Sequence, residues 1–433
     1  MSAGSRARSQ LPAGLHAAAR LARIALALLT GTVQCLPELV RYAGHHDGVR
    51  LQAQAGRIAG ARLWDLGPAF VKIGQLLSTR QDLLPPRLCD ELRTGLAFGG
   101  QGHRSGGAGG SLPPTGARAV EIGSVATVHR DHVDGTPVAV KRVHPGAERQ
   151  LATDLALVRG LMRAGLRLVP RSRVPLPEIV DEMCRSVRRQ TDLCAEAETL
   201  NRLSGLGDRL PVVLPRVLEG HSDSGQLVMT WIEGQDPHRP VSTPDRTARR
   251  LVLALYEMLF ITGVVHCDLH PGNWWEMPDG RIAIVDAGFA YELDDEMRSH
   301  FAEFFLGMSA ANAEICATHA LAACAVPVGP EQEAGFRADM EELIRSNTGL
   351  TAGTFSLARF ATDFFMIQRR HRAYSRATFI YPFMALLAIE GQVKQLSPGL
   401  NFQALAGPVV LRAIVNRARS GSSDVYRKPQ GIA

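Results

Sequence analysis

From Arg118 the hydrophobic period of this chain switches, and that switch constrains the fold more than any other feature. The stretch AVEIGSVATVHRDHVDGTPVAVKRVHPG carries β-branched runs on either side of Asp134-Gly135, a pair that favours a tight hairpin turn. Helical patterns then fill 147 to 167 and 175 to 205, and GQLVMTWIEG (225 to 234) reads as a strand leading into a turn. Thr243-Pro244 starts a helix that runs to Thr262, since Pro suits a first helical position. RIAIVDAGFA (281 to 290) is a short buried strand set off by the Asp279-Gly280 turn, and the remainder to Gln395 is mostly helical. A hairpin unit followed by helices predicts an α+β chain.

Upstream of the switch the pattern is helical. Over 11 to 40, His16, Arg20, Arg23 and Thr30 gather on one side, with Leu21, Ile24, Leu28 and Leu29 on the other. That pattern fits a helix lying on a membrane, its basic face near Arg20 and Arg23 towards anionic lipid. It fits equally a helix docked on its own domain. The apolar run from Ile24 is broken by Thr, Gly and Gln before about 20 apolar residues accumulate, which argues against a single-pass membrane protein. Next, LWDLGPAFVKIGQLLSTRQDLLPPRLCDELRTGL (63 to 96) places Pro68 in a first helical turn, an apolar stripe of Phe70, Ile73, Leu76 and Leu77, and Lys72 and Gln75 on one face. Pro85-Pro86 ends that helix, and the Gly/Ser/Pro tract at 98 to 116 reads as a linker.

Composition excludes several classes. At 433 residues, 45% hydrophobic and 21% charged, the chain is globular. Its seven cysteines are scattered and include no C-x-x-C pair, which points to a reducing compartment and away from a zinc ribbon or a disulfide framework. A net charge of +6 without a strong patch argues against nucleic acid. Of 48 basic residues only four are Lys, at 72, 141, 394 and 428. Arg cannot replace a compact ammonium beside a phosphate, so the surviving lysines mark positions to examine.

Four pieces then fall in one order: Lys141 at the end of a strand in VAVK, Glu196 on a later helix, the loop HCDLHPGN (266 to 273), and VDAG (285 to 288). Phosphoryl transfer from ATP needs these types: a Lys held by a helix Glu, an Asp that orients the acceptor, and an Asn and a second Asp for magnesium. Asp268 and Asn273 are five apart, and Asp286 follows Asp268 by 18. Each piece alone is weak, and the joint order carries the signal. His266 has two readings, one in the site and one as a capping or packing residue.

With KIGQ (72 to 75) and the loop together, the chain resembles the UbiB-type atypical kinases, the AarF/ADCK family, over residues 50 to 402. KIGQ matches that family's KxGQ signature, and LAIEGQVKQLSP (387 to 398) is similar to its late helix. The resemblance implies a two-lobed protein-kinase-like fold with an α-helical N-terminal extension carrying the KxGQ motif. Its segments would be an amphipathic helix (1–60), the KxGQ extension (61–97), a linker (98–116), an N-lobe (117–235), a helical C-lobe (236–402) and a tail (403–433). It further implies ATP and Mg2+ as cofactors, with Asp268, Lys141 and Glu196 catalytic. ATP would meet Lys141, Gly123, Ser124, Met229 and Ile232, and the metal would meet Asn273 and Asp286. Lys72 and Gln75 would be the inward-facing extension pair, and Gln190 and Asp192 the ExD-like positions. Partners would be enzymes of isoprenoid-lipid or quinone biosynthesis, with the chain cytoplasmic and peripheral at the inner face of the membrane.

The departures are specific. Gln190 replaces a glutamate, EIGSVATVH (121 to 129) only approximates the family's Ala-rich loop, Glu121 adds a charge there, and Ala287 replaces the Phe of DFG, loosening the helix that carries Glu196. No paired transmembrane segments follow at the C-terminus. Three readings remain: a UbiB-like ATPase or kinase, an aminoglycoside- or choline-kinase-like phosphotransferase, and a pseudokinase scaffold for a biosynthetic complex.

Overall fold

In a computed structural model of the chain, the described residues are 13–45, 48–78, 84–102, 119–122, 126–166, 176–234 and 241–425. They divide into two compact units. One comprises Met1–Ser78, Leu84–Gly110 and Gly146–Leu168, and the other Thr79–Leu83, Ser111–Pro145 and Val169–Ala433.

The first unit is helical: α1 (Ala13–His45), α2 (Gly48–Leu66), α3 (Pro68–Ser78), α4 (Pro86–Gly102) and α5 (Ala147–Leu166). Pro68 opens α3 as expected, and Ala69, Phe70, Ile73 and Leu76 form its buried stripe. Gly74 of KIGQ sits where a Cβ would come 2.7 Å from the Leu63 side chain and 3.0 Å from Leu96. That glycine therefore lets α3 pack close against α2 and α4. Lys72 is half-buried and Gln75 exposed on the same helix.

Helix α1 follows the docked reading, with the basic side turned inward rather than towards lipid. Arg20, expected on a lipid-facing basic side, is 8% exposed and forms a two-pronged ion pair with Asp154 of α5. It also donates to the Leu66 carbonyl and lies 5.5 Å from the centre of the Phe70 ring. Ile24, one turn on, is buried as well. The docked stripe is thus Arg20 and Ile24, because a paired guanidinium with an apolar stem packs well beneath a helix. The leucine face is left bare: Leu26, Leu28 and Leu29 are 60 to 62% exposed and Val40 71%. Helix α1 also continues through Gly31 and Pro37. Ala18–Ala43 is, by length and composition, long and apolar enough to cross a membrane, contrary to the broken-run expectation.

Segment boundaries shift too. The 60–61 division falls inside α2, and α5 belongs to the helical unit rather than to an N-lobe, since its Asp154 anchors Arg20. Helix α4 runs through Gly102, and residues 103–116 of the expected linker lie outside the described residues.

In the second unit, β1 (Ala119–Ile122), β2 (Ala126–Val133), β3 (Thr136–Val143) and β5 (Gln226–Thr230) form an antiparallel sheet in the order β1-β2-β3-β5. Asp134 and Gly135 both take positive φ, 50° and 75°, the geometry of a tight hairpin turn. Between β3 and β5 come α6 (Leu176–Arg189), α7 (Leu193–Leu203), α8 (Leu206–Arg209) and the short β4 (Val212–Val213). The helical pattern over 175 to 205 forms two helices, divided where Asp192 caps α7 by accepting from the Ala195 N–H.

Helix α9 (Pro244–Tyr256) passes into a π-helical turn, Glu257–Thr262, and then β6 (Val264–His266), β7 (Trp274–Glu276), β8 (Ile282–Ile284) and β9 (Ala290–Glu292). These strands form two small sheets, β4-β8-β7 and β6-β9. Six helices complete the unit: α10 (Asp295–Ser309), α11 (Ala313–Ala322), α12 (Pro330–Asn347), α13 (Leu357–Arg370), α14 (Ile380–Leu396) and α15 (Phe402–Val425). Their core is aromatic, with Phe301, Phe304, Phe336, Phe360 and Phe364 each no more than 1% exposed. Residues 403–425 are no tail. Ala406, Val410 and Ala413 of α15 are buried, and Arg412 pairs with the buried Glu257.

Candidate functional site

Alternation along β3 decides where Lys141 points. Val138 and Val140 pack with Val228 on one face, while Ala139 shares the other with Leu227 and Met229 of β5. Lys141 follows Ala139 by two and shares its face. That face meets α7, whose Leu193 and Leu200 join the same cluster. There the Lys141 ammonium lies 2.9 Å from the Glu196 carboxylate and 2.6 Å from that of Asp286.

Asp286 follows β8 in a left-handed backbone, φ 56°, a conformation that strains a non-glycine residue and recurs at functional sites. Gly288 makes the convergence possible. A Cβ there would come 3.1 Å from a Glu196 carboxylate oxygen and 3.2 Å from one of Asp286. The Glu196 side chain is sealed at 1% exposure while that of Asp286 remains 47% exposed. Asp286 therefore meets solvent where Glu196 does not.

Their proton affinities diverge accordingly. Burial pushes the Asp286 carboxyl up, but the adjacent Lys141 ammonium outweighs it and holds the group at about 2. Burial also works against a charged Lys141, and the two carboxylates reverse that, raising its pKa above the ordinary lysine value. For Glu196, full burial together with the like charge of Asp286 prevails over Lys141 and pushes its carboxyl up.

The HCDLHPGN loop is tied to this trio by hydrogen bonds. The His266 ring is fully buried; Nδ1 accepts from the Asp268 N–H at 3.2 Å and Nε2 faces the Val285 carbonyl at 3.1 Å. Those partners require a neutral ring with its proton on Nε2, and burial lowers its pKa. The packing reading of His266 is the right one: it ties the Asp268 loop to the residue before Asp286. Asn273, also buried, donates from Nδ2 to the Asp268 carbonyl at 2.8 Å, and its own carbonyl accepts from Val285 at 2.9 Å. Asp268, half-buried, thus sits on a loop fixed at both ends.

The remaining expected residues fall as follows. Met229 is buried in the cluster beside Ala139, and Ile232 is half-buried just past β5. Gly123 and Ser124 lie outside the described residues. Asp192 acts as the cap of the helix that carries Glu196, while the buried Gln190 Nε2 has no hydrogen-bond partner among the described residues. Ala287 is 2% exposed and packs with Leu193, Leu200 and Met229. Beside it opens a small recess of about 40 Å³ lined by Ala195, Glu196, Thr199, Ala287, Gly288 and Tyr291. Sequence reasoning passed over Gly288, although it is the third letter of the DAG triplet it singled out.

Among the described residues no three His, Cys, Asp or Glu side chains converge as a metal cage. An amide and one exposed carboxylate, Asn273 and Asp286, suit instead a magnesium ion completed by phosphate oxygens, since Mg2+ takes few protein ligands.

Comparison with known proteins gives kinase-like relatives. The ABC1 atypical kinase-like domain matches residues 116–320. The chain is 30% identical over 404 residues to a probable protein kinase UbiB of Xanthomonas axonopodis pv. citri, covering 84% of this chain and 71% of that protein. It is 26% identical over 349 residues to an uncharacterised Synechocystis protein, covering 71% and 82%. A chloroplastic aarF domain-containing protein kinase of Arabidopsis thaliana is 31% identical over 258 residues, which are 56% of this chain and 36% of that protein.

The state of His266 has a measurable consequence. Its folded pKa lies below the ordinary value of about 6.5, so its contribution to stability is present above that pH and is lost on acidification. In urea unfolding from pH 7.5 to 5, the wild type should lose stability with falling pH. His266→Gln should flatten that slope by up to about 1.4 kcal/mol per pH unit. Equal slopes would show that His266 is not held neutral.

Proposed function

The chain belongs to the ABC1 atypical kinase-like family, with the UbiB and AarF-domain kinases, and on that premise we propose that it binds ATP with magnesium and transfers or hydrolyses the terminal phosphate. The observation that carries this reading is the convergence of Glu196 and Asp286 on Lys141. A lysine pinned by a buried helix glutamate is the arrangement that presents an ammonium to the α- and β-phosphates.

In this reading Glu196 fixes the Lys141 stem while the ammonium turns from Asp286 to the phosphates. Asp286 and Asn273 would hold magnesium, which when bound neutralises charge on the phosphate oxygens. Asp268, on its clamped loop, orients the attacking hydroxyl or water. Met229 and Ile232 would meet the base, and Gly123 and Ser124 the phosphates. The resemblance extends the proposal to a role in isoprenoid-quinone or related lipid or natural-product biosynthesis. A scaffold reading draws on Ala287 and on the unpartnered Gln190 amide.

Membrane contact belongs to the same proposal, with its side reversed from the sequence reading. Since Arg20 is engaged with Asp154, the exposed face of Leu26, Leu28 and Leu29 is the surface that enters lipid. It would lie in the interface as an amphipathic helix does.

Thermal unfolding with and without Mg·ATP separates catalyst from scaffold. ATP at about 100 times its Kd should stabilise the wild type by about 2.7 kcal/mol, and Asp286→Asn should lose the magnesium-dependent part. No shift in the wild type would put the scaffold reading first. For the membrane, flotation with phosphatidylcholine vesicles should recover the wild type and Arg23→Ala but not a Leu28→Ser/Leu29→Ser double variant. Loss with Arg23→Ala alone would return the role to the basic face.

A further inference from the structure

The late helix α14 reaches the loop through one side chain. Gln392, half-buried, donates from Nε2 to the Leu269 carbonyl at 2.7 Å, and its Oε1 accepts from the Trp274 indole N–H at 2.5 Å. The second Nε2 proton goes to the Ala388 carbonyl at 2.7 Å, one helical turn back. Leu269 follows Asp268 and Trp274 follows Asn273. One amide therefore grips the loop beside both residues that the proposed chemistry needs.

The chemistry of the grip is selective. It requires two donors and an acceptor on one short planar group, which a side-chain amide supplies. A carboxylate could not donate to two carbonyls, and an ammonium could not accept from an indole. The helix is itself anchored. Glu390, two residues earlier, accepts from the Leu357 and Ala358 N–H groups at the start of α13 and pairs with Lys394 at 2.8 Å. Trp274 is buried, so its N–H has no water to fall back on. His266 and Asn273 stitch the loop to itself and to Val285. Gln392 is the tie from that loop to the helical core.

We infer that Gln392 is a positioning residue for the catalytic loop, holding Asp268 and Asn273 in register by bridging Leu269 and Trp274. Its catalytic consequence rests on the function proposed above, but its mechanical consequence does not, and the test reads both.

Hydrogen exchange over residues 266–275 is measured for the wild type, Gln392→Leu, Gln392→Glu and Trp274→Phe, alongside ATP turnover at saturating magnesium. Both Gln392 variants should speed exchange in this segment by about tenfold while leaving α10 and α13 unchanged. Turnover should fall in kcat by about tenfold with KM for ATP little changed. Adding Trp274→Phe to Gln392→Leu should cost less than the sum of the two, because both remove the same bond. Unchanged exchange in the loop would overturn the inference whatever the turnover. Faster exchange in a protein whose wild type turns over no ATP would leave the clamp standing and remove the kinase reading. Faster exchange throughout the helical core would reduce Gln392 to a general packing residue and overturn the positioning claim.

Discussion

A single ammonium shared by two carboxylates is the constraint on which the site depends. Lys141 has both Glu196 and Asp286 within 2.9 Å, and the three come from a strand, a helix and a loop distant in sequence. Removing one partner from a buried charge pair costs about 3–5 kcal/mol, so each of these elements is held where the other two need it. The sharing is unequal. Asp286, half open to solvent, keeps its charge against burial, while Glu196, sealed on the inner side of α7, is pushed towards its neutral form. One cation cannot fully compensate two anions at low dielectric, so the more deeply buried carboxyl is the one pushed towards its neutral form.

Around that trio the loop chemistry serves to limit motion. A neutral, buried His266 joins Asp268 to Val285, Asn273 closes the loop on itself, and Gln392 ties it to the helical core. Most of these ties go to backbone groups, which fixes the chain beneath the functional side chains. Within the site, backbone strain sits at Asp286, in its left-handed conformation.

Much of this was legible in the sequence because it rests on local chemistry. The Asp134-Gly135 turn, the period-2 strand ending in Lys141 and the Pro68 helix start all depend on near neighbours, and all appear as read. What failed depends on distant partners. Arg20 reads as part of a lipid-facing basic side until Asp154, 134 residues away, is seen beneath it. The bare leucine face of α1 follows from that same pairing. The break at Asp192 hides within a continuous apolar period, and α15 reads as a tail until Glu257 is seen to bind Arg412. Gln392 lay inside a motif that the sequence flagged, but its role required knowing that Leu269 and Trp274 face it.

The central claim is that Lys141 is the main group that keeps Asp286 ionised in the site. Carbon-detected NMR titration of the Asp286 carboxyl, in the wild type and in Lys141→Met, tests it directly. The wild-type group should titrate at about 2. Its folded value then lies below the unfolded one of about 3.9, so its stabilising effect is present above that pH and lost as pH falls towards 2. In Lys141→Met the largest group opposing burial is gone, and the midpoint should rise. Equal midpoints in the two proteins would contradict the account.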